Sequence, residues 1–140
     1  MVEVHDLTIA KLARASGVNR ETVRFYEARG LLAAPPRSAS GYRLYAPSDA
    51  RRVRFIRVAQ ALGFTLEEIG ELLSLRGSPN GTCGVVKAKA MEKIAKIDRK
   101  IKALTDMKAV LVEVSSECDD DSSPIDECPI LCALDKKADT

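Results

Sequence analysis

The sequence predicts a mainly α fold: a winged helix-turn-helix N-terminal domain, a long antiparallel coiled-coil dimerisation helix, and a cysteine-bearing C-terminal loop with a short helix. Three observations lead there. Two short capped helical segments flank a Ser16-Gly17 break and precede the turn-like stretch RSASGYRLYA. A long apolar repeat then runs from Val86 to Val114, and the segment CDDDSSPIDEC follows it.

Taken in order, Thr8 is placed to cap TIAKLARA, whose Ile9, Leu12 and Ala13 share one side, and Asn19 to cap RETVRFYEARG. Two such helices joined by a tight glycine-containing turn make a helix-turn-helix, whose second helix enters the major groove. That helix is expected to present Arg20, Thr22, Arg24 and Tyr26, with Val23 and Phe25 turned inward for packing. The helical pattern stops at Pro35-Pro36, and the glycine-centred segment after it reads as a small hairpin, a wing carrying Arg37, Tyr42 and Arg43. Pro47 suits the first position of the next helix, Asp49 its first turn, and RRVRFIRVAQAL sets a basic face against an apolar one. Gly63 ends it, and Thr65 with Glu68 forms a capping box for LEEIGELLSL. Residues 1–77 are therefore expected to form the DNA-binding domain, with its helix pair at 48–75.

SPNGT, residues 78–82, opens a second region of linker and dimerisation helix, 78–117. Val86, Ala90, Ile94, Ile97, Ile101, Leu104, Met107, Leu111 and Val114 recur at a mean step of 3.5 residues, the spacing of a coiled-coil seam. A helix so long overhangs so small a domain, which favours pairing with a second copy over packing on its own chain. At ~1.5 Å per residue, Cys83 and Cys118 would stand about 50 Å apart in one protomer. In an antiparallel two-fold pair with its axis near Lys100, Val86 faces Val114 and Cys83 falls opposite Cys118, once at each end.

Residues 118–140 make the third region, a metal-binding loop, short helix and tail. Its composition, DDDSSPIDE, lets Cys128 fold back toward Cys118, so Cys83 of one copy with Cys118 and Cys128 of the other is a reasonable trigonal set. Thiolates select soft or borderline ions such as Hg(II), Pb(II), Cd(II), Zn(II) or Cu(I), and three negative thiolates suit a divalent ion better than a monovalent one. Cys132, one turn beyond Cys128 on the helix PILCAL, is a possible fourth ligand, a spare thiol or a small apolar residue. Asp119, Asp120, Asp121, Asp126 and Glu127 are oxygen donors or a solvated acidic loop.

Charge divides the chain. Residues 8–57 carry eleven Lys or Arg against three carboxylates, a balance of +8; residues 118–140 carry two Lys against seven carboxylates, a balance of −5. The basic end suits a polyanion, double-stranded DNA. No stretch approaches the ~20 apolar residues of a membrane span. A cytoplasmic location is expected, where four cysteines are metal-binding or redox-active in preference to disulfide staples. No Ser-His-Asp set, Cys-His pairing or phosphate-binding glycine loop supports an enzyme. Two alternatives use the same thiols: an iron-sulfur or disulfide redox sensor, and a metal-sequestering thiol protein. Cysteine spacings of nine and three intervening residues are unlike cluster-binding runs, and sequestration would leave the basic helix and wing without a use.

TIAKLARASGVNRETVRFYEARGLL, RSASGYRLYAPSD, GFTLEEIGELLSL and CPIL, in this order, resemble the MerR family of bacterial metal-responsive transcription regulators over nearly the whole chain. VRFYE with GYRLY is the specific part of the match. The resemblance implies a homodimer on a promoter with an over-long spacer, held inactive without metal and distorted on metal binding so that RNA polymerase engages both elements. It implies DNA contacts by Arg24, Tyr26, Arg37, Tyr42 and Arg43. It also implies a divalent-metal sensor, because Cys83 stands where monovalent-ion sensors of the family carry Ser. Mercury sensors usually have a loop one residue shorter; zinc-type members usually add a second cysteine where Asp119 stands and a loop histidine, absent here. The metal therefore stays open among the four ions.

Overall fold

The computed structural model describes residues 3–118 and 121–139, and the chain falls into two compact units dividing between Lys89 and Ala90. In the first unit α1 spans Ile9–Ser16, α2 Arg20–Ala28, α3 Pro47–Ala61 and α4 Leu66–Arg76. The long helix α5, Cys83–Ser116, begins in this unit, and the second unit adds a 3-10 turn at Ile125–Glu127 and α6, Pro129–Ala138. No helix among the described residues is long and apolar enough to cross a membrane.

The helix starts follow the capping chemistry of the sequence. The Thr8 hydroxyl accepts from Lys11 N–H at 3.3 Å, Asn19 Oδ1 from Thr22 N–H at 2.7 Å, and Thr65 pairs reciprocally with Glu68. Pro47 occupies the first turn of α3, where the Asp49 carboxylate accepts from Ala46 N–H at 2.9 Å. Gly17 ends α1 with φ 73°, and a β-carbon built on it would lie 2.6 Å from Arg57 Nη1. The turn between α1 and α2 therefore favours glycine for its left-handed backbone, while the Arg57 tip could swing aside from a larger residue.

The core of the first unit is built from α1 Leu12 and Ala13, α2 Val23 and Tyr26, the following Leu31 and Leu32, Tyr45, α3 Val53 and Ile56, and α4 Ile69 and Leu73. Helix α1 packs on α2 and α3, and α3 on α4. Ser16, buried with them, donates its hydroxyl to the Leu12 carbonyl at 2.6 Å, so no polar group is stranded there.

The wing is shorter than a hairpin. Among the described residues Arg37 and Arg43 form a single antiparallel bridge, and Leu7 and Tyr45 another. Gly41, at φ 86°, closes the turn; Ser38 N–H donates to the Tyr42 carbonyl at 2.7 Å and Leu44 N–H to the Pro36 carbonyl at 2.9 Å. Pro35 and Pro36 have no N–H to lengthen the ladder, which confines the pairing to one rung.

In the second unit α5 leaves its predicted seam open. Ile94, Ile97, Ile101, Leu104, Met107 and Leu111 are all exposed. Leu104, Met107, Leu111 and Val112 line an open groove of about 750 Å³. Helix α6 covers only the end of α5: Ile130, Ala133 and Leu134 meet Val110, Leu111 and Val114 around a cavity of about 20 Å³.

Candidate nucleic-acid interface and metal centre

The amphipathicity of α2 decides which residues are free to meet a ligand. Val23 and Tyr26, three residues apart, form its buried face, while Arg20, Arg24 and Phe25 are exposed. This corrects the expected outward Tyr26 and inward Phe25. Tyr26 is only 3% exposed, and its hydroxyl donates to Gln60 Oε1 of α3 at 2.6 Å. Burial raises its pKa, opposed by the Arg57 charge. Phe25 is 46% exposed instead. Helical geometry is the reason: residues three apart lie close on a helix face, whereas residues two apart, as Val23 and Phe25 are, point in nearly opposite directions. Thr22 is half-buried, its hydroxyl donating to Asn19 Oδ1 at 2.8 Å, so it reinforces the cap.

The wing presents its own polar groups. Tyr42 is 69% exposed at its tip. Arg37 Nη1 donates to the Gly41 carbonyl at 2.8 Å, which braces the turn. Arg43 Nε lies 3.6 Å from Glu27 Oε2 of α2, and the same oxygen accepts from the Tyr45 hydroxyl at 3.2 Å. Burial first, then the adjacent Glu27 charge, pushes the Tyr45 phenol up to about 12. Glu27 thus ties the recognition helix to the wing, a role the sequence reading did not assign. Its sequence signal was a lone acid among the basic residues of VRFYEARG. Arg54 plays a similar part, donating from Nη1 to the Ala15 carbonyl at 3.0 Å and so holding the end of α1 to α3.

None of the four cysteines is in a disulfide, and each has a defined backbone setting. Cys83 is the exposed first residue of α5. Cys118 is half-buried just past the end of the same helix, its N–H donating to the Ser115 carbonyl at 3.2 Å. Cys128, also half-buried, caps α6 with backbone alone: its side chain makes no cap hydrogen bond, and its carbonyl accepts from Cys132 N–H at 3.0 Å. Cys132 is exposed, with Sγ 3.9 Å from the Asp126 carbonyl. Among the described residues, no three His, Cys, Asp or Glu side chains of one copy gather into a group able to hold a metal ion. Asp119 and Asp120 lie outside the described residues; Asp121, Asp126 and Glu127 are exposed. The donor chemistry still fits a thiophilic ion, since three accessible, unoxidised thiols are soft ligands.

Comparison with known proteins identifies the family. The family model described as MerR HTH family regulatory protein matches residues 7–75, and that described as MerR, DNA binding matches residues 50–114. HTH-type transcriptional regulator HmrR of Sinorhizobium medicae is 41% identical over 125 residues, spanning 89% of this chain and 84% of that protein. Among solved structures, transcription regulator PbrR691 from Ralstonia metallidurans CH34 in complex with lead(II) superposes with a TM-score of 0.82 at 38% identity, covering 91% of this chain and 98% of that one. The dual function regulator MerR from Bacillus megaterium MB1 in complex with mercury(II) gives 0.72 at 32% identity, covering 92% and 98%.

Proposed function

The chain belongs to the MerR family, a family of DNA-binding transcription regulators and not of enzymes, and from that premise we propose that it is a metal-responsive regulator acting as a homodimer on promoter DNA in the cytoplasm. Two copies pair through the exposed seam of α5 in opposite directions. Arg20, Arg24, Arg37, Tyr42 and Arg43 contact the duplex, with Thr22 supporting the helix cap and Tyr26 serving as a core anchor. Most of these contacts go to phosphates and set affinity and register.

The effector is a divalent thiophilic ion, Hg(II), Pb(II), Cd(II) or Zn(II), held by Cys83 of one copy with Cys118 and Cys128 of the other. When bound, such an ion supplies a cross-link between the two copies. The chain's own residues do the rest: α5 carries thiols at its start and just beyond its end, Glu27 holds the wing to the recognition helix, and the basic face engages DNA. The response is promoter distortion that lets RNA polymerase engage, activating metal-resistance or efflux genes.

One observation carries this reading: a single continuous helix bears an exposed apolar seam, with one cysteine at its start and another just past its end, while among the described residues one copy gathers no complete ligand set. A helix of that length rises about 50 Å, too far for thiols at its two ends to share an ion within one copy. The decisive experiment is competitive titration of the purified protein with Hg(II), Pb(II), Cd(II), Zn(II) and Cu(I), followed by ultraviolet thiolate absorption and by transcription in vitro with each ion. A divalent ion should bind tightest and switch transcription on. Activation by Cu(I) alone would reject the divalent assignment.

A further inference from the structure

The exposed face of α2 carries an apolar group where a phosphate-binding helix needs none. Phe25 lies outside the core cluster, and its ring meets Tyr26 only at a centroid separation of 6.2 Å. Counting about 100° per residue, the direction opposite the buried Val23 and Tyr26 falls between Glu21 and Ala28, and the exposed Phe25 and Arg24 stand about 50° to either side of it. A singly exposed phenylalanine is ordinary on a protein surface. This one stands on the outward half of the second helix of a helix-turn-helix, the element that enters the major groove. The Arg29 guanidinium lies 5.5 Å from the ring centroid, so one face of the ring is braced by a cation–π contact.

The major groove offers a matching apolar feature, the 5-methyl group of thymine, which apolar side chains such as phenylalanine recognise by contact. We propose that Phe25 is a specificity-determining residue that reads a thymine methyl group in each half of the operator, on the same helix as Arg20 and Arg24. The proposal rests on the DNA-binding role above. It divides the helix between charge, which holds the duplex whatever its sequence, and one aromatic ring, which does not tolerate every base pair equally.

The test uses the full chain and a duplex selected by it from a random pool. Each thymine of one half-site is replaced in turn by deoxyuridine, which removes the methyl group and leaves the hydrogen-bonding edge intact. For the wild type, one position should weaken binding about fourfold, from ~0.8 kcal/mol per buried methyl group at 1.4 kcal/mol per tenfold. Phe25→Ala should bind the thymine and deoxyuridine duplexes equally, with unchanged circular dichroism because the residue is exposed. No sensitive thymine in the wild type, or equal sensitivity in Phe25→Ala, would overturn the assignment. Failure of the wild type to select any duplex would instead reject the DNA-binding reading itself.

Discussion

At Glu27 a single carboxylate oxygen serves a guanidinium from the wing and a phenol from the strand-like segment behind it. Its side chain is only 14% exposed, so its charge is poorly shared with water and depends on Arg43. Glu27→Gln keeps an acceptor for Tyr45 and removes that charge. Operator affinity should fall several-fold, and in a Glu27→Gln, Arg43→Ala double variant the second change should cost less than it does alone; purely additive losses would mean the pair is uncoupled. Arg43→Ala by itself should reduce the salt slope of binding by about one phosphate contact, read by fluorescence anisotropy over a salt series. The placement of Arg43, Arg37 and Tyr42 on the wing was legible in the sequence because a glycine turn advertises a wing. Tyr26 was misplaced and Glu27 passed over for one reason: the sequence shows which residue types occur on α2, while direction follows from the three-residue spacing to Val23.

Elements were legible where side-chain chemistry is local. Thr8, Asn19 and Thr65 each cap the helix they were expected to cap, because an N-cap is a contact between residues two or three apart. The wing was only partly legible, since a ladder depends on which N–H groups the neighbouring segment can offer, and two prolines offer none. For α5 the period of the apolar residues is plain in the sequence, and the helix runs unbroken from Cys83 to Ser116. Placing a charge on the seam tests what that period is for. Leu104→Glu should convert the species seen by analytical ultracentrifugation to a monomer while leaving the helix content of the first unit intact. A dimer that persists at micromolar concentration would mean that α5 does not form the interface.

For the whole molecule, the proposed site has a distinctive stoichiometry. Cys83→Ser removes one ligand from each end of the dimer; Cys118→Ser with Cys128→Ser removes the others. Neither variant alone retains a complete set. Co-folded in equal amounts, however, a mixed dimer regains one complete set, with Cys83 from one copy and the loop pair from the other. It should bind one ion with wild-type affinity at one end, measured by thiolate absorption on a dimer isolated through two different affinity tags. A site built within one copy would regain nothing. This set was legible in the sequence through the length of α5 together with the loop, and not through a ligand motif, because a set shared across a symmetry axis leaves each chain with an incomplete pattern.

Cys128 opens α6 without spending its side chain on the helix. Serine is a far better residue at that position, since its hydroxyl would accept from an amide of the first turn, a gain of about 1 kcal/mol. A cysteine there leaves the helix start under-stabilised, and its thiol makes no cap hydrogen bond that recruitment to the proposed site would have to break. Cys128→Ser should therefore melt at a higher temperature than the wild type in the absence of metal and yet be deaf to it, a hardier protein that has lost its sense.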